Sequence, residues 1–186
     1  MNEVDGQDDE ASNQAAAIGT KLGLNWLYAP AEQMRGRDNI GNAVLTDLPV
    51  TGYARIPMRK TKPDGYRNII LLHATLDGTP IHVIVTHTDG SEDRDAQLKL
   101  VTELFTSLQP PVILMGDFNT RADHPMLRAL LDRPDVEEPL TTTKTPARKD
   151  RIDWLFTRGL HITNAGFDDR GYSDHPMIWA EMTIKK

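Results

Sequence analysis

The chain alternates between short apolar runs and polar turns, and most of the runs have the length and period of β-strands. The clearest unit is RNIILLHATLDGTPIHVIVTHTDG at residues 67–90, where two alternating segments flank Asp-Gly-Thr-Pro. This pattern predicts a β-hairpin. Further strands are predicted in GNAVLTDLPV, PPVILMGDFN, RIDWLFTR, HITNAGF and PMIWAEMTI. Strands therefore dominate the predicted structure.

Three segments have helical spacing instead. The segment ASNQAAAIGTKLG places Ile18 on an apolar face and ends in a glycine. SEDRDAQLKLVTELFTSL begins with Ser91, the expected N-cap, and DHPMLRALLDRP is expected to begin at Asp123. The order of elements predicts an α/β fold of two mixed β-sheets packed as a sandwich, with helices on the outer faces.

Composition narrows the class of protein. The 186 residues, 39% of them hydrophobic, suffice for one core, so residues 1–186 are predicted to form a single domain. A net charge of −6 gives no global attraction to nucleic acid or to anionic membranes. The absence of cysteine excludes disulfides and thiolate sites. With neither a membrane-spanning stretch nor a signal-peptide pattern, we expect a soluble protein whose compartment is unassigned.

Polar side chains recur where apolar runs end. The residues in these positions are His87, Asp117, Asn119, Asp153, Asp174 and His175. Strand ends can converge on one rim of a sheet, where ligand sites are common. A rim of carboxylates without cysteine suits a hard cation such as Mg²⁺ or Mn²⁺, which can in turn hold a phosphate oxygen.

Each of these residues also has a structural interpretation. Asp117 and Asn119 favour turns and could simply end a strand, and Asp174 could be a turn residue or a cap. His87 and His175 could be ordinary strand-end or loop histidines. The residues alone leave both interpretations open.

The same segments resemble a known family. GDFN after an apolar strand, ID before aromatic and apolar residues, and SDH before the last strand are similar to motifs of the endonuclease/exonuclease/phosphatase superfamily. GNAVLTDLP, VTHTDG with RDAQ, and NEVDGQ resemble further segments of that family, in the same order. The resemblance implies a four-layer deoxyribonuclease-like fold. It also implies hydrolysis of a phosphorus ester by in-line attack of water.

The resemblance assigns catalytic roles by position. His175 matches the histidine that acts as general base or phosphate-stabilising acid, and Asp153 matches the aspartate that orients its ring. Asp117 and Asn119 match the pair that positions the attacking water and contacts the phosphate. His87 matches a histidine near the leaving oxygen.

Metal and substrate contacts are implied in the same way. Glu3 matches the metal-binding glutamate, with Asp174 and Asp117 as further metal-site carboxylates, and Asn42 matches a secondary phosphate contact. Glu3 could instead belong to an acidic leader, and Asn42 could be a structural strand asparagine. The cofactor implied is Mg²⁺ or Mn²⁺.

Basic residues concentrate in two windows, residues 54–67 and 144–151. Arg148, Lys149 and Arg151 in the second window immediately precede Asp153, so we expect them to contact phosphates of a DNA substrate. The alternative is solvated loop charge. No element suited to reading base edges is evident, which predicts weak sequence specificity.

One departure from the family concerns the first strands, which are missing ahead of Glu3. A fragment, a naturally short form, or a homodimer paired through the exposed sheet edge would each explain it. We predict a metal-dependent phosphodiesterase, as a weakly sequence-specific DNA endonuclease. The alternatives are a phosphatase or phosphodiesterase acting on lipid or small-molecule esters, and a catalytically weak nucleic-acid-binding module.

Overall fold

The computed structural model describes residues 1–6, 13–34, 37–59, 61, 67–142, 151–171 and 173–185. Its strands are β1 Val4–Asp5, β2 Asn25–Met34, β3 Arg37–Thr46, β4 Val50–Pro57, β5 Asn68–Leu76, β6 Thr79–His87, β7 Val112–Asp117, β8 Val136–Glu137, β9 Asp153–Arg158, β10 Leu160–Asp168 and β11 Met177–Ile184. Its helices are α1 Gln14–Leu22, α2 Arg94–Ser107, α3 Pro125–Leu131 and α4 Pro139–Thr142. Across these residues no helix combines the length and the apolarity that a membrane span needs.

A mixed sheet of six strands forms the centre of the molecule, in the order β4-β5-β6-β7-β9-β8. The predicted hairpin is confirmed as β5 and β6, whose turn residues Asp77 and Gly78 both have positive φ, as a tight hairpin turn requires. Strand β7 runs parallel to β6 after the crossover through α2, and β9 runs antiparallel to β7. The predicted α/β class is confirmed.

The two faces of this sheet carry different layers. On one face α2 and α3 bury side chains such as Val101, Phe105 and Leu127 against the sheet. On the other face, residues of β2 and β3, including Ala29, pack against inward side chains of β5 and β6, including Leu72. With α1 outside β1 and β3, the expected sandwich with outer helices is present as four layers.

The second β layer differs from the predicted mixed sheet because it consists of two antiparallel pieces. One piece has the order β1-β3-β2, and the other pairs β10 with β11. Within the described ranges, β1 pairs only with β3, and β11 only with β10. Each therefore has an open edge, and the two pieces lie over different strands of the central sheet.

The helix starts differ from the predicted ones in detail. Asp93, not Ser91, precedes α2, and its carboxylate accepts a hydrogen bond from Thr61 N at 2.6 Å. His124, not Asp123, caps α3. In α1 the side chain of Ile18 is exposed, because the helix packs through its small residues Ala15, Ala16 and Gly19. Gly19 lies directly against Trp26, where a larger side chain would crowd the ring.

Candidate active site

Three of the predicted site residues form one row across the central sheet. His87 at the end of β6 is the register partner of Asp117 at the end of β7. Asp117 is in turn the partner of Asp153 at the start of β9. Neighbouring strands lie about 4.8 Å apart, so pairing alone brings these side chains together. Sequence positions 87, 117 and 153 thus become adjacent.

Gly116 explains how β7 fits so closely beside β6. Its φ is +145°, and an added Cβ would lie 1.8 Å from the carbonyl oxygen of Thr86. Any other residue at this position would have to push the two strands apart. The glycine of the GDFN segment therefore fixes the approach of Asp117 to His87.

His175 reaches this row from the loop before β11. Its Nδ1 donates a hydrogen bond to Asp153 Oδ2 at 2.7 Å, which leaves Nε2 as the nitrogen that can accept a proton. Burial lowers the pKa of His175, but the hydrogen bond and the charges of Asp153, Asp117 and Asp174 outweigh it, so the net shift is upward. The carboxylate thus holds one tautomer and stabilises the imidazolium.

Asp117 is the most perturbed carboxyl group of the site. Burial raises its pKa to about 6; Asp153 adds to the rise, while the backbone N–H of Asn119 and the charges of His175 and Arg67 oppose it. Only 9% of its side chain is exposed. A carboxylate held in this way is stabilised when a cation binds beside it.

The residues present fit a divalent cation. Ligand atoms of Asp117, Asp153 and His175 all lie within 4.8 Å of one another. Because His175 Nδ1 is engaged with Asp153, the oxygens of Asp117 and Asp153 are the better ligands for a hard ion. Two carboxylates gathered beside a buried strand end form a donor set of the kind that Mg²⁺ and Mn²⁺ prefer.

Asn119 is held in a left-handed conformation beside Asp117. Its φ is +47°, a region that asparagine tolerates better than most residues. Its backbone N–H donates to Asp117 Oδ1 at 2.7 Å, and its side-chain amide donates to the carbonyl oxygen of Thr88 at 2.9 Å. These two bonds fix the amide next to His87 Nε2, at 3.2 Å.

His87 is buried between Arg67 and Asn119. Arg67 Nη1 lies 3.1 Å from His87 Nδ1, and Asn119 Nδ2 lies 3.2 Å from His87 Nε2, so a donor group faces each ring nitrogen. Burial, Arg67 and His175 lower the pKa of His87 to about 3, against an opposing effect of Asp89. His87 is therefore neutral, and its Nε2 lies 3.5 Å from Asp117 Oδ2.

Glu3 and Asp174 line the same cleft but stand apart from the central cluster. Glu3 Oε1 lies 4.0 Å from His87 Nδ1, and 65% of the Glu3 side chain is exposed. Asp174 is exposed beside His175, with its Oδ1 accepting from Ser173 Oγ at 3.4 Å. Their expected part in binding metal stays a prediction.

Asn42 lies behind the site. It is buried, and its Nδ2 donates to Asn68 O and Oδ1, each at 3.2 Å. With the Asn2 amide oriented to satisfy its neighbours, Asn2 Nδ2 donates to Asn42 Oδ1 at 3.1 Å and Asn2 Oδ1 accepts from Asp117 N at 2.7 Å. Asn42 thus reaches Asp117 through Asn2, and does not line the cleft described below.

The expected basic contacts are not arranged as predicted where they can be described. Arg151 donates from Nη1 to Glu138 Oε1 at 2.6 Å, and its guanidinium lies 3.9 Å over the ring of Trp154. Both ionic side chains are almost fully buried. Arg151 is therefore engaged with the protein interior, while Arg148 and Lys149 lie outside the described residues.

Two site residues were missed by the sequence reasoning. Arg67 was counted only as one charge of a basic window, although its position just before β5 places it beside the row of strand ends. Asn2 was not considered, and only its position next to Glu3 could have pointed to it. The contacts of both depend on strand pairing that spacing does not reveal.

The cleft above the row has a volume of about 780 Å³. Glu3, His87, Asp117, Asp153, Asp174 and His175 all line it. Its floor is formed by inward apolar side chains of the central sheet, Val85, Met115 and Leu155, between the two pieces of the second layer. The structure thus brings six of the predicted residues to one cavity.

Comparisons with known proteins agree with this geometry. The model of the Endonuclease/Exonuclease/phosphatase family matches residues 1–175. A search of curated protein sequences found no significant match. The fold is similar to the human nocturnin catalytic domain with bound sulfate, with a TM-score of 0.76 at 15% identity over 99% of this chain and 79% of that one.

Two further solved structures share the fold. Bacteroides thetaiotaomicron mannosyl-6-phosphatase has a TM-score of 0.67 at 17% identity, over 92% of this chain and 81% of its own. D. rerio TDP2 complexed with single-strand DNA product has a TM-score of 0.64 at 14% identity, over 87% and 76%.

The family match extends over most of the chain and includes every candidate residue described above. Members of that family are phosphoric ester hydrolases that generally depend on divalent metals, so the match supports a phosphoesterase and does not select a substrate. By its sequence and its architecture, the chain belongs to the endonuclease/exonuclease/phosphatase family.

Proposed function

We propose that this protein is a divalent-metal-dependent phosphodiesterase that hydrolyses its substrate by direct attack of water. The observation that carries the proposal is the cluster of Asp117, Asp153 and His175, whose ligand atoms lie within 4.8 Å of one another in a cleft of about 780 Å³. Two adjacent carboxylates and an oriented histidine at a solvent-accessible rim are typical of a catalytic or metal-binding site.

Each residue of the site has a separate role in the proposed hydrolysis. His175 Nε2 takes the proton of the attacking water, while Asp153 holds the ring and stabilises the imidazolium. The water oxygen forms a bond to phosphorus, and the bond to the leaving oxygen breaks in line with it. His87, which is neutral and lines the cleft, is the proposed phosphate contact, and the Asn119 amide lies 3.2 Å from it.

The carboxylates of Asp117 and Asp153 would hold the cation, with Glu3 and Asp174 as the further ligands that the sequence predicts. When bound, Mg²⁺ or Mn²⁺ supplies Lewis-acid polarisation and charge neutralisation at the phosphoryl group. Arg67 adds a fixed positive charge from the opposite side of His87.

DNA is the substrate that we propose first, cut with weak sequence specificity. The D. rerio TDP2 structure contains a single-strand DNA product, which gives this choice a precedent within the fold. The basic contacts give it less support than expected, because Arg151 is paired with Glu138. The second candidate is a small-molecule phosphatase, a possibility favoured by the structural likeness to a mannosyl-6-phosphatase.

A plasmid-nicking assay tests the proposal. Nicking in Mg²⁺ or Mn²⁺ that is abolished by EDTA and by His175→Ala is the expected result. Release of phosphate from sugar monoesters with the plasmid left intact would favour the phosphatase instead. Plasmid binding without cutting, in any metal, would replace both with a nucleic-acid-binding module.

The open edges of β1 and β11 support a homodimer paired through one of these strands. Light scattering at several protein concentrations tests it. A dimer in which the amide protons of β1 or of β11 are protected from exchange is expected. A monomer at every concentration contradicts the proposal.

A further inference from the structure

The segment that leads into β1 contains one residue more than the stretch of β3 beside it. Met1 pairs with Ala43 through two backbone hydrogen bonds, one in each direction and each of 2.9 Å. Val4 is the register partner of Gly41. Two residues of the first segment therefore lie opposite one residue of β3. This arrangement is a β-bulge, formed by Asn2 and Glu3 opposite Asn42.

The bulge turns two consecutive side chains toward the cleft. Successive residues of a regular strand point to opposite faces of a sheet. Asn2 and Glu3 instead both line the cleft, while Val4 is buried on the α1 side with Ala15. Glu3 has a left-handed backbone with a φ of +52°, which residues other than glycine adopt mainly at strained or functional positions. The extra residue is thus what brings Glu3 to the cleft.

The direction of the Glu3 side chain has to come from its backbone. The side chain is 65% exposed, and its Oε1 lies 4.0 Å from His87 Nδ1, beyond hydrogen-bonding distance. An exposed side chain gains little orientation from packing. Whatever fixes the bulge therefore fixes where the Glu3 carboxylate can reach.

Asn2 ties the bulge to the central sheet. Its Oδ1 accepts a hydrogen bond from the backbone N–H of Asp117 at 2.7 Å, and its Nδ2 donates to Asn42 Oδ1 at 3.1 Å. One amide thus connects the bulge with β7 and with β3. Because the bonded N–H belongs to Asp117, the same contact sets the position of Glu3 relative to the Asp117 carboxylate.

Two further asparagines hold this amide in place. Asn42 and Asn68 are both buried, and Asn42 Nδ2 donates to Asn68 O and Oδ1 at 3.2 Å each. Asn68 Nδ2, at the start of β5, in turn donates to the carbonyl oxygen of Pro30 in β2 at 2.9 Å. Buried amides that satisfy one another are costly to displace. The bulge is therefore anchored to both β layers.

We propose that Asn2 is a positioning residue, which holds the Glu3 carboxylate in the cleft by fastening the bulge to Asp117 and Asn42. The inference rests on the function proposed above, because the Glu3 carboxylate would complete the cation site there. Asn2 acts through Glu3 and is not itself a ligand, since its amide is already engaged on both sides.

Nuclear magnetic resonance of the metal-free protein tests this positioning without a cation and without turnover. In EDTA, Asn2→Ala should move the amide resonance of Asp117 and remove the nuclear Overhauser cross-peaks between the side chains of Glu3 and His87. The matched control is Asn25→Ala, which truncates an exposed asparagine of β2 in the same layer and should change neither signal. An Asp117 resonance and cross-peaks that Asn2→Ala leaves unchanged would overturn the inference.

A double-mutant cycle on cation affinity shows whether Asn2 acts through Glu3. The dissociation constant of Mn²⁺ is measured by electron paramagnetic resonance for the wild-type protein, Asn2→Ala, Glu3→Gln and the double variant. Each single substitution should raise it about tenfold, and the double substitution should raise it no further than either single one. Losses that multiply to about a hundredfold would show that Asn2 acts independently of Glu3, which contradicts the inference.

Failure of this inference differs from failure of the proposed function. Mn²⁺ binding and hydrolysis that Asn2→Ala leaves unchanged would remove the positioning role and keep the hydrolase. Cross-peaks that are lost in Asn2→Ala, in a protein whose wild type binds no Mn²⁺, would keep Asn2 as the residue that positions Glu3 and remove the metal-dependent hydrolase.

Discussion

The two β layers of this molecule differ in the continuity of their strand pairing, and both contribute residues to the site. The central sheet is a continuous array of six strands, and it supplies His87, Asp117 and Asp153 as a row in register. The second layer is divided into two antiparallel pieces. Its side of the cleft supplies Glu3, just before β1, and Asp174 and His175, just before β11.

The difference appears in how firmly each group is held. Asp117 and His87 are buried and hydrogen-bonded, and their pKa values depart far from the ordinary ones. Glu3 and Asp174 are exposed. A rigid sheet can therefore hold ionisable side chains in fixed, buried positions, although burial raises the free energy of their charged forms. Side chains at the open edges remain solvated. We expect the larger functional effects from substitutions in the continuous sheet and at His175, which is hydrogen-bonded to Asp153 of that sheet.

The largest effect is expected at the Asp153–His175 pair. His175→Ala and Asp153→Ala should each lower kcat by roughly 10²- to 10⁴-fold, because general base and orienting group act as one unit. For the same reason the double variant should lose little more than either single one. Steady-state hydrolysis measures this, with His161→Ala on the exposed face of β10 as control. Fully additive losses would show that the two residues act independently.

A smaller effect is expected at Arg67. Arg67→Met should lower kcat by about tenfold to a hundredfold, because His87 loses its contact with the guanidinium and the site loses a positive charge. Arg67→Lys should restore part of the loss by returning the charge. The matched control is Arg55→Met, which removes an exposed charge of β4 in the same basic window. Equal losses of kcat in Arg67→Met and Arg55→Met would show that Arg67 acts only as one charge of a basic surface.

The exposed carboxylates should act mainly through metal affinity. Glu3→Gln and Asp174→Asn are each expected to raise the Mg²⁺ concentration at half-maximal activity by roughly tenfold. Saturating metal should then restore most of kcat, since the hydrogen bond between Asp153 and His175 is left intact. A metal titration of activity measures this. A loss of kcat that no metal concentration recovers would contradict this expectation and would show that Glu3 and Asp174 are as important for catalysis as Asp117.

The smallest effect concerns stability. The folded-state pKa of Asp117 is raised to about 6 from 3.8, so its charge destabilises the fold at pH 7, and the penalty disappears as pH falls through 6 toward 4. Asp117→Asn should therefore stabilise the metal-free protein at pH 7 by about 1–3 kcal/mol. Thermal unfolding in EDTA should show a Tm rise of about 2–4 °C per kcal/mol. A lower Tm for Asp117→Asn would contradict the conclusion that the buried charge of Asp117 destabilises the fold.

Much of the fold could be predicted because local signals are strong in this chain. Alternating apolar residues around Asp77 and Gly78 specify a hairpin, and the apolar run before Asp117 specifies a buried strand. The division of the second layer could not be predicted, because strand pairing between distant segments leaves no local signal. The small-residue packing of α1 on Trp26 was missed for the same reason.

The candidate site shows the same limit at the level of side chains. Residues at strand ends could be named from the sequence, whereas their order as His87, Asp117 and Asp153 across the sheet depends on register. Arg151 was expected to face phosphate because of its neighbours in sequence, yet the buried carboxylate of Glu138 and the ring of Trp154 attract it inward. Charge counted along a chain says little about the direction of a side chain.

The most direct test of the central claim is an anomalous-difference map of crystals soaked in Mn²⁺, collected for the wild-type protein and for Asp117→Asn. We predict a peak bounded by the carboxylates of Asp117 and Asp153 in the wild-type protein and its loss in the variant. Saturating Mn²⁺ with no density between these carboxylates would contradict the claim.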